Sequence, residues 1–74
     1  MRVLGIDPGY AIVGYGIVDY DGYKFKTISY GAITTPAKDR FSSRIDTIYK
    51  DMQTLINTYK PEALSIERLY FNTN

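Results

Sequence analysis

Hydrophobic and polar positions change period once along this chain. Arg2–Asp7 (RVLGID) is a short, nearly continuous apolar run, the pattern of a strand covered on both faces and therefore central in a sheet. Pro8-Gly9 joins a fixed φ to a permissive one, which suits a tight turn, and the β-branched and aromatic run Val13–Tyr20 resumes as a second strand. Asp21-Gly22, set between Tyr20 and Tyr23, is a strong two-residue hairpin pattern in which both turn positions favour positive φ; Lys24–Thr34 then follows with strand composition. Three antiparallel strands are predicted. From Phe41 onward the apolar residues step by three and four, through Ile45, Ile48, Met52, Leu55, Ile56 and Tyr59, leaving Arg44, Asp46, Lys50, Asp51 and Gln53 mostly for the outer side. This spacing predicts an amphipathic helix. Asp39, Ser42 and Ser43 are its N-cap or first-turn candidates, Lys60 suits the negative end of its dipole, and Pro61 stops it. Ala63–Glu67 (ALSIE) is a second short apolar run, so the predicted order is β-β-β-α-β. A strand joined through a helix to another strand of one sheet normally makes a right-handed parallel crossover. An α/β fold with a mixed sheet is therefore expected, with ALSIE lying parallel to RVLGID.

That topology gives two acidic residues a shared address. Asp7 closes the first run and Glu67 the last, so the two carboxylates are expected to meet at the carboxyl edge of one sheet, where open α/β sheets bind their ligands. Hard divalent cations such as Mg²⁺ take carboxylate oxygens and keep several waters, and a pair of them about 4 Å apart activates water and stabilises the leaving oxygen in phosphodiester hydrolysis. Taken singly, an aspartate before Pro-Gly is usually a turn former, and a glutamate after an apolar run usually marks where the strand reaches water. Their common position argues for chemistry. Spacing alone leaves a sugar-kinase or actin-like ATPase open, since such folds begin similarly.

Composition narrows the chemistry further. The chain has no cysteine and no histidine, which excludes disulfides, thiolate zinc sites, Ser-His-Asp and Cys-His catalysis and imidazole–metal ligation; catalysis falls to carboxylates. Nine Lys and Arg against eight Asp and Glu give a net charge of +1, so no basic signature announces a nucleic-acid partner. Ala11–Val18, the longest apolar stretch, is far too short to span a membrane, and a soluble cytoplasmic protein is expected. Seventy-four residues make at most one small, marginally stable domain.

The flanking residues carry a more specific resemblance. Gly5-Ile6-Asp7-Pro8-Gly9, with Gly14-Tyr15-Gly16 in the next strand, resembles the opening of RuvC-type crossover-junction endodeoxyribonucleases. Ser65-Ile66-Glu67, with Tyr70 three residues and Asn74 seven residues past the glutamate, is similar to the family's glutamate–aromatic–asparagine pattern; Ser43-Arg44 and Tyr49 also match. The resemblance covers the whole chain, although the family is roughly twice as long. It implies the N-terminal part, residues 1–74, of a single ribonuclease-H-like nuclease domain. It further implies Asp7 and Glu67 as catalytic metal ligands for two Mg²⁺ or Mn²⁺ ions, with the remaining acidic ligands beyond Asn74. Tyr70 and Asn74 become DNA-binding residues, the substrate a four-way DNA junction, the working unit a homodimer, and the partners the RuvA and RuvB branch-migration proteins. One departure is Tyr70, where the family commonly has phenylalanine, with Phe71 beside it.

Other residues have competing readings. Tyr70 stacking on unpaired bases fits the resemblance, whereas Phe71 is better read as core. Gly14 and Gly16 either let a DNA backbone approach the second strand or mark packing or a bulge. Arg44 is read as part of a solvated helix face, and the eight tyrosines as strand packing residues. Two other function classes stand beside the junction nuclease. One is another ribonuclease-H-like enzyme, such as a ribosomal-RNA-processing nuclease or a sugar-kinase-like phosphotransferase; the other is a small non-enzymatic domain. Ala11-Ile12-Val13 lacks the hydroxyls a phosphate-gripping kinase hairpin would carry, and an rRNA-processing relative would lack the Glu67-Tyr70-Asn74 pattern. The isolated chain is expected to be inactive, to bind metal weakly, and to self-associate through strand edge and apolar surface left exposed past ALSIE.

Overall fold

A computed structural model describes residues 1–9, 12–36 and 38–66. Its elements are β1 (Arg2–Pro8), β2 (Ile12–Tyr20), β3 (Phe25–Thr34), α1 (Phe41–Tyr59) and β4 (Ala63–Ile66). The sheet order is β3-β2-β1-β4: β2 runs antiparallel to β1 and β3, while β4 runs parallel to β1. The strand beginning at Arg2 is thus internal, as expected, but among the described residues only the face bearing Leu4 and Ile6 is covered, because α1 packs on one side of the sheet alone; the crossover through α1 returns the chain beside it. Alternation along the strands separates two faces. Leu4 and Ile6 of β1, Val13 and Ile17 of β2 and Ile33 of β3 are buried, and Ile48, Met52, Leu55 and Tyr59 of α1 pack against them with Tyr15 and Ile28. Leu4 and Ile17, directly paired across β1 and β2, are the largest fully buried side chains among the described residues.

Several local expectations are corrected. The β2–β3 connection is a four-residue loop, because Tyr20 pairs with Phe25, and only Gly22 has positive φ (103°). Asp21 Oδ1 closes the loop instead, accepting hydrogen bonds from the backbone N–H groups of Tyr23 (2.8 Å) and Lys24 (2.9 Å), an Asx-type turn capped by the stacked rings of Tyr20 and Phe25. Among the described residues no side chain caps α1: Arg40 is the N-cap and makes no side-chain cap hydrogen bond, so Asp39 does not play that part, while Ser42 and Ser43 lie in the first turn, the other place expected for them. The apolar stripe of α1 is broader than the sheet beneath it. Phe41, Ile45 and Ile56 stay exposed; Ile45 and Ile56 lie on the flank away from Asp51 and Thr54, which line the cleft with β2 and β3, and so on the side of the exposed β4 residues Leu64 and Ile66.

Lys60 ends the helix in the left-handed region (φ 51°, ψ 57°), its N–H bonded to the Ile56 carbonyl at 2.8 Å. A side chain there costs about 1 kcal/mol that glycine would not, and Pro61 restricts the residue further. Lys60→Gly is expected to raise the midpoint of thermal unfolding by a few degrees; an unchanged or lower midpoint in a circular-dichroism melt would show that the strain is absorbed elsewhere.

The far edge of the sheet is tied by Arg2. Its guanidinium donates to both oxygens of Asp19 (2.8 and 3.0 Å) and to the Tyr59 carbonyl at the end of α1 (3.1 Å). Its backbone N–H donates to Glu62 Oε1, and its carbonyl accepts from the Glu62 N–H. The Arg2 hydrogen bond holds Asp19 below the ordinary aspartate range, and the backbone N–H groups of Lys24 and Tyr23 do the same for Asp21. Since both folded-state values are depressed, their stabilisation is present above the unfolded aspartate value of about 3.9 and is lost as pH falls through the folded values. Thermal midpoints should therefore drop on acidification below about pH 4, and Asp19→Asn with Asp21→Asn should flatten that decline. An equally steep decline in the double variant would assign it to other carboxylates.

Candidate metal and nucleic-acid site

Asp7 sits on the central strand one residue before its end, not at the end as expected, because Pro8 still pairs with Val13. Its side chain is exposed on the face opposite α1. Two partners position it: β2 through the pair Asp7–Gly14, and β4 through a parallel register that ends, within the described residues, at Ile6–Ile66. In sequence Asp7 follows the first of these and Glu67 the second. Glu67, Tyr70 and Asn74 lie outside the described residues, as does Phe71.

The open face beside Asp7 is a shallow trough. Gly5 pairs with both Gly16 and Ser65, Gly14 with Asp7, and Val3, Val18 and Phe25 form the apolar end. Gly14 and Gly16 hold regular register, and the irregularity of β2–β3 falls between Ile17 and Val18, which removes the bulge reading of these glycines. Backbone is consequently bare next to the carboxylate.

Arg44 is the largest surprise. Rather than facing solvent it is 7 % exposed, and its Nε donates to Oγ1 of the buried Thr35 at 3.1 Å, fixing the first turn of α1 to the chain leaving β3. β3 runs parallel to β1, so this anchor lies at the same edge of the sheet as Asp7. The sequence hides it because charge at a position flanking an apolar stripe reads as surface; the only hint is the serine-arginine match noted above.

As a donor set, an exposed carboxylate with no histidine or cysteine anywhere in the chain fits a hard, hydrated dication such as Mg²⁺ in kind. Among the described residues, no group of three or more acidic, histidine or cysteine side chains gathers, so they offer Asp7 as a single candidate ligand and not a complete shell.

The sequence profile of the family described as crossover junction endodeoxyribonuclease RuvC matches residues 3–74. The chain belongs to the RuvC family. A RuvC of Alkaliphilus oremlandii is 51% identical over all 74 residues, which make up 45% of that protein; the chain thus spans about half the length of the curated relatives it matches. Among solved structures, T. thermophilus RuvC in complex with Holliday junction substrate superposes with a TM-score of 0.87 at 25% identity, over 100% of this chain and 48% of that one. The fold is accordingly that of the RuvC N-terminal half, ribonuclease-H-like, as the resemblance implied. An Aquifex aeolicus member of the Ppx/GppA protein family superposes less closely, with a TM-score of 0.67 at 25% identity over 89% of this chain and 25% of that one. No helix among the described residues is long and apolar enough to cross a membrane.

Proposed function

We propose that this segment supplies half of the catalytic edge of a metal-dependent endonuclease that resolves four-way DNA junctions by symmetric strand cleavage. The observation that carries the reading is the place of Asp7: an exposed carboxylate on an inner strand of the sheet, next in sequence to a parallel pair whose β4 member is followed by Glu67. In this reading Asp7 and Glu67 hold Mg²⁺ or Mn²⁺, two ions per site once the rest of a longer protein adds its ligands. The ions, when bound, activate water and neutralise the leaving oxygen. The chain's own part is to hold the Asp7 carboxylate rigidly between two paired strands and to leave bare backbone beside it, on which a sugar-phosphate strand can lie closely. Tyr70 stacks on bases at the crossover, and Asn74 contacts the same DNA. The working unit is a homodimer in the cytoplasm, supplied with junctions by RuvA and RuvB. Alone, these 74 residues are inactive and bind metal weakly, because two carboxylates do not offset the repulsion between two neighbouring dications.

The direct assay uses a chimera in which these 74 residues replace the matching segment of the Alkaliphilus oremlandii relative. With a synthetic four-way junction and Mg²⁺, paired nicks at symmetric positions are expected. Equal cleavage of linear duplex, or no cleavage by a folded chimera, would reject the reading.

A further inference from the structure

Gly9 stands two residues past Asp7, and its role differs from that of an ordinary turn glycine. Its φ is not in the positive range; among the described glycines only Gly22 is. What it lacks room for is a side chain. A Cβ at Gly9 would lie 2.4 Å from the carbonyl oxygen of Ile12 and 3.5 Å from its carbonyl carbon. Real Cβ atoms do not approach other atoms within 3.0 Å, and the obstructing carbonyl oxygen is backbone, so no rotamer change relieves the clash.

The displacement would have to be taken up on one side of the β1–β2 connection. Ile12 is paired with Thr34 of β3, and the following Val13 is buried in the core at 6 % exposure. On the other side Pro8 and Asp7 are both exposed. Proline has no N–H with which to hold its end of the ladder. The β1 tip is the side that yields. We propose that Gly9 is a positioning residue for Asp7: its missing side chain lets β2 close directly behind the carboxylate and fixes where that carboxylate stands on the sheet edge. The proposal rests on the reading of Asp7 as a metal ligand.

The test is a Mn²⁺ titration of the ¹⁵N-labelled chain followed by paramagnetic broadening of individual amide signals. In the native chain the Asp7 amide should broaden first. Gly9→Ala should require about tenfold more Mn²⁺ for the same broadening, the scale on which groups supporting a metal ligand act, while the signals of Arg2 and Asp19 at the far edge stay in place. Gly22→Ala, which puts a side chain on a positive-φ position in the opposite hairpin, serves as a control for general destabilisation and should leave the Mn²⁺ response unchanged. The proposal is overturned if Gly9→Ala titrates like the native chain, if Gly22→Ala weakens the response equally, or if Gly9→Ala unfolds the chain, which would make the role global. A native chain whose Asp7 signal ignores Mn²⁺ would overturn the metal reading itself, and the proposal with it.

Discussion

Asp7→Asn in the chimera is expected to lower junction cleavage at least about a thousandfold while leaving junction binding nearly intact. The amide keeps the shape of the carboxylate but removes the negative charge that holds a dication, and metal stabilisation of the transition state is worth several kcal/mol, with each 1.4 kcal/mol or so amounting to a factor of ten in rate. Binding should survive because Asp7 is one exposed side chain on a sheet edge whose register is set by backbone pairing and by buried neighbours. Single-turnover cleavage measured beside gel-shift affinity separates the two. Cleavage within a factor of a few of the native chimera would remove Asp7 from the chemistry, and parallel loss of both would mean that the substitution damages the fold.

The second large effect concerns the core. Ile17 is 0 % exposed and faces Leu4 across the β1–β2 pair. Ile17→Ala should destabilise the chain by roughly 2–5 kcal/mol, from lost burial plus the cavity left between sheet and helix. A domain of this length has only about 4–11 kcal/mol in total at the usual 0.05–0.15 kcal/mol per residue, so the variant should melt far earlier or be partly unfolded at room temperature. Ile12→Ala is the internal comparison: its side chain is exposed, and a loss below about 1 kcal/mol is expected. Equal losses at the two positions in chemical denaturation would contradict the assignment of the core.

The sequence made the element order readable because each period is pure: apolar runs for the inner strands, three-and-four spacing for α1. Helix bounds agree with the reading, since Pro61 and the periodic residues mark both ends. Less was legible wherever a backbone or side-chain detail replaced the common solution. Asp21-Gly22 looks like a two-residue turn, but the Asp21 carboxylate satisfies two N–H groups of a longer loop, and sequence pattern does not distinguish the two. Arg44 looked like surface because what admits an arginine to the interior includes a partner brought from another element, here Thr35 Oγ1. Gly9 was chosen by the pattern for a permissive φ and proves to matter for space. Of the candidate site, Asp7 and the parallel placement of β4 were legible from topology alone; Glu67, Tyr70 and Asn74 rest on the resemblance and lie outside the described residues.

The most direct measurement of the central claim is the anomalous diffraction of Mn²⁺ in crystals of the junction-bound chimera. A manganese peak at coordination distance from the Asp7 carboxylate, about 2.1 Å as for small octahedral dications, and shared with Glu67, is the result the account predicts. Manganese bound elsewhere, with Asp7 and Glu67 unligated in a complex that cleaves its junction when warmed, would contradict it.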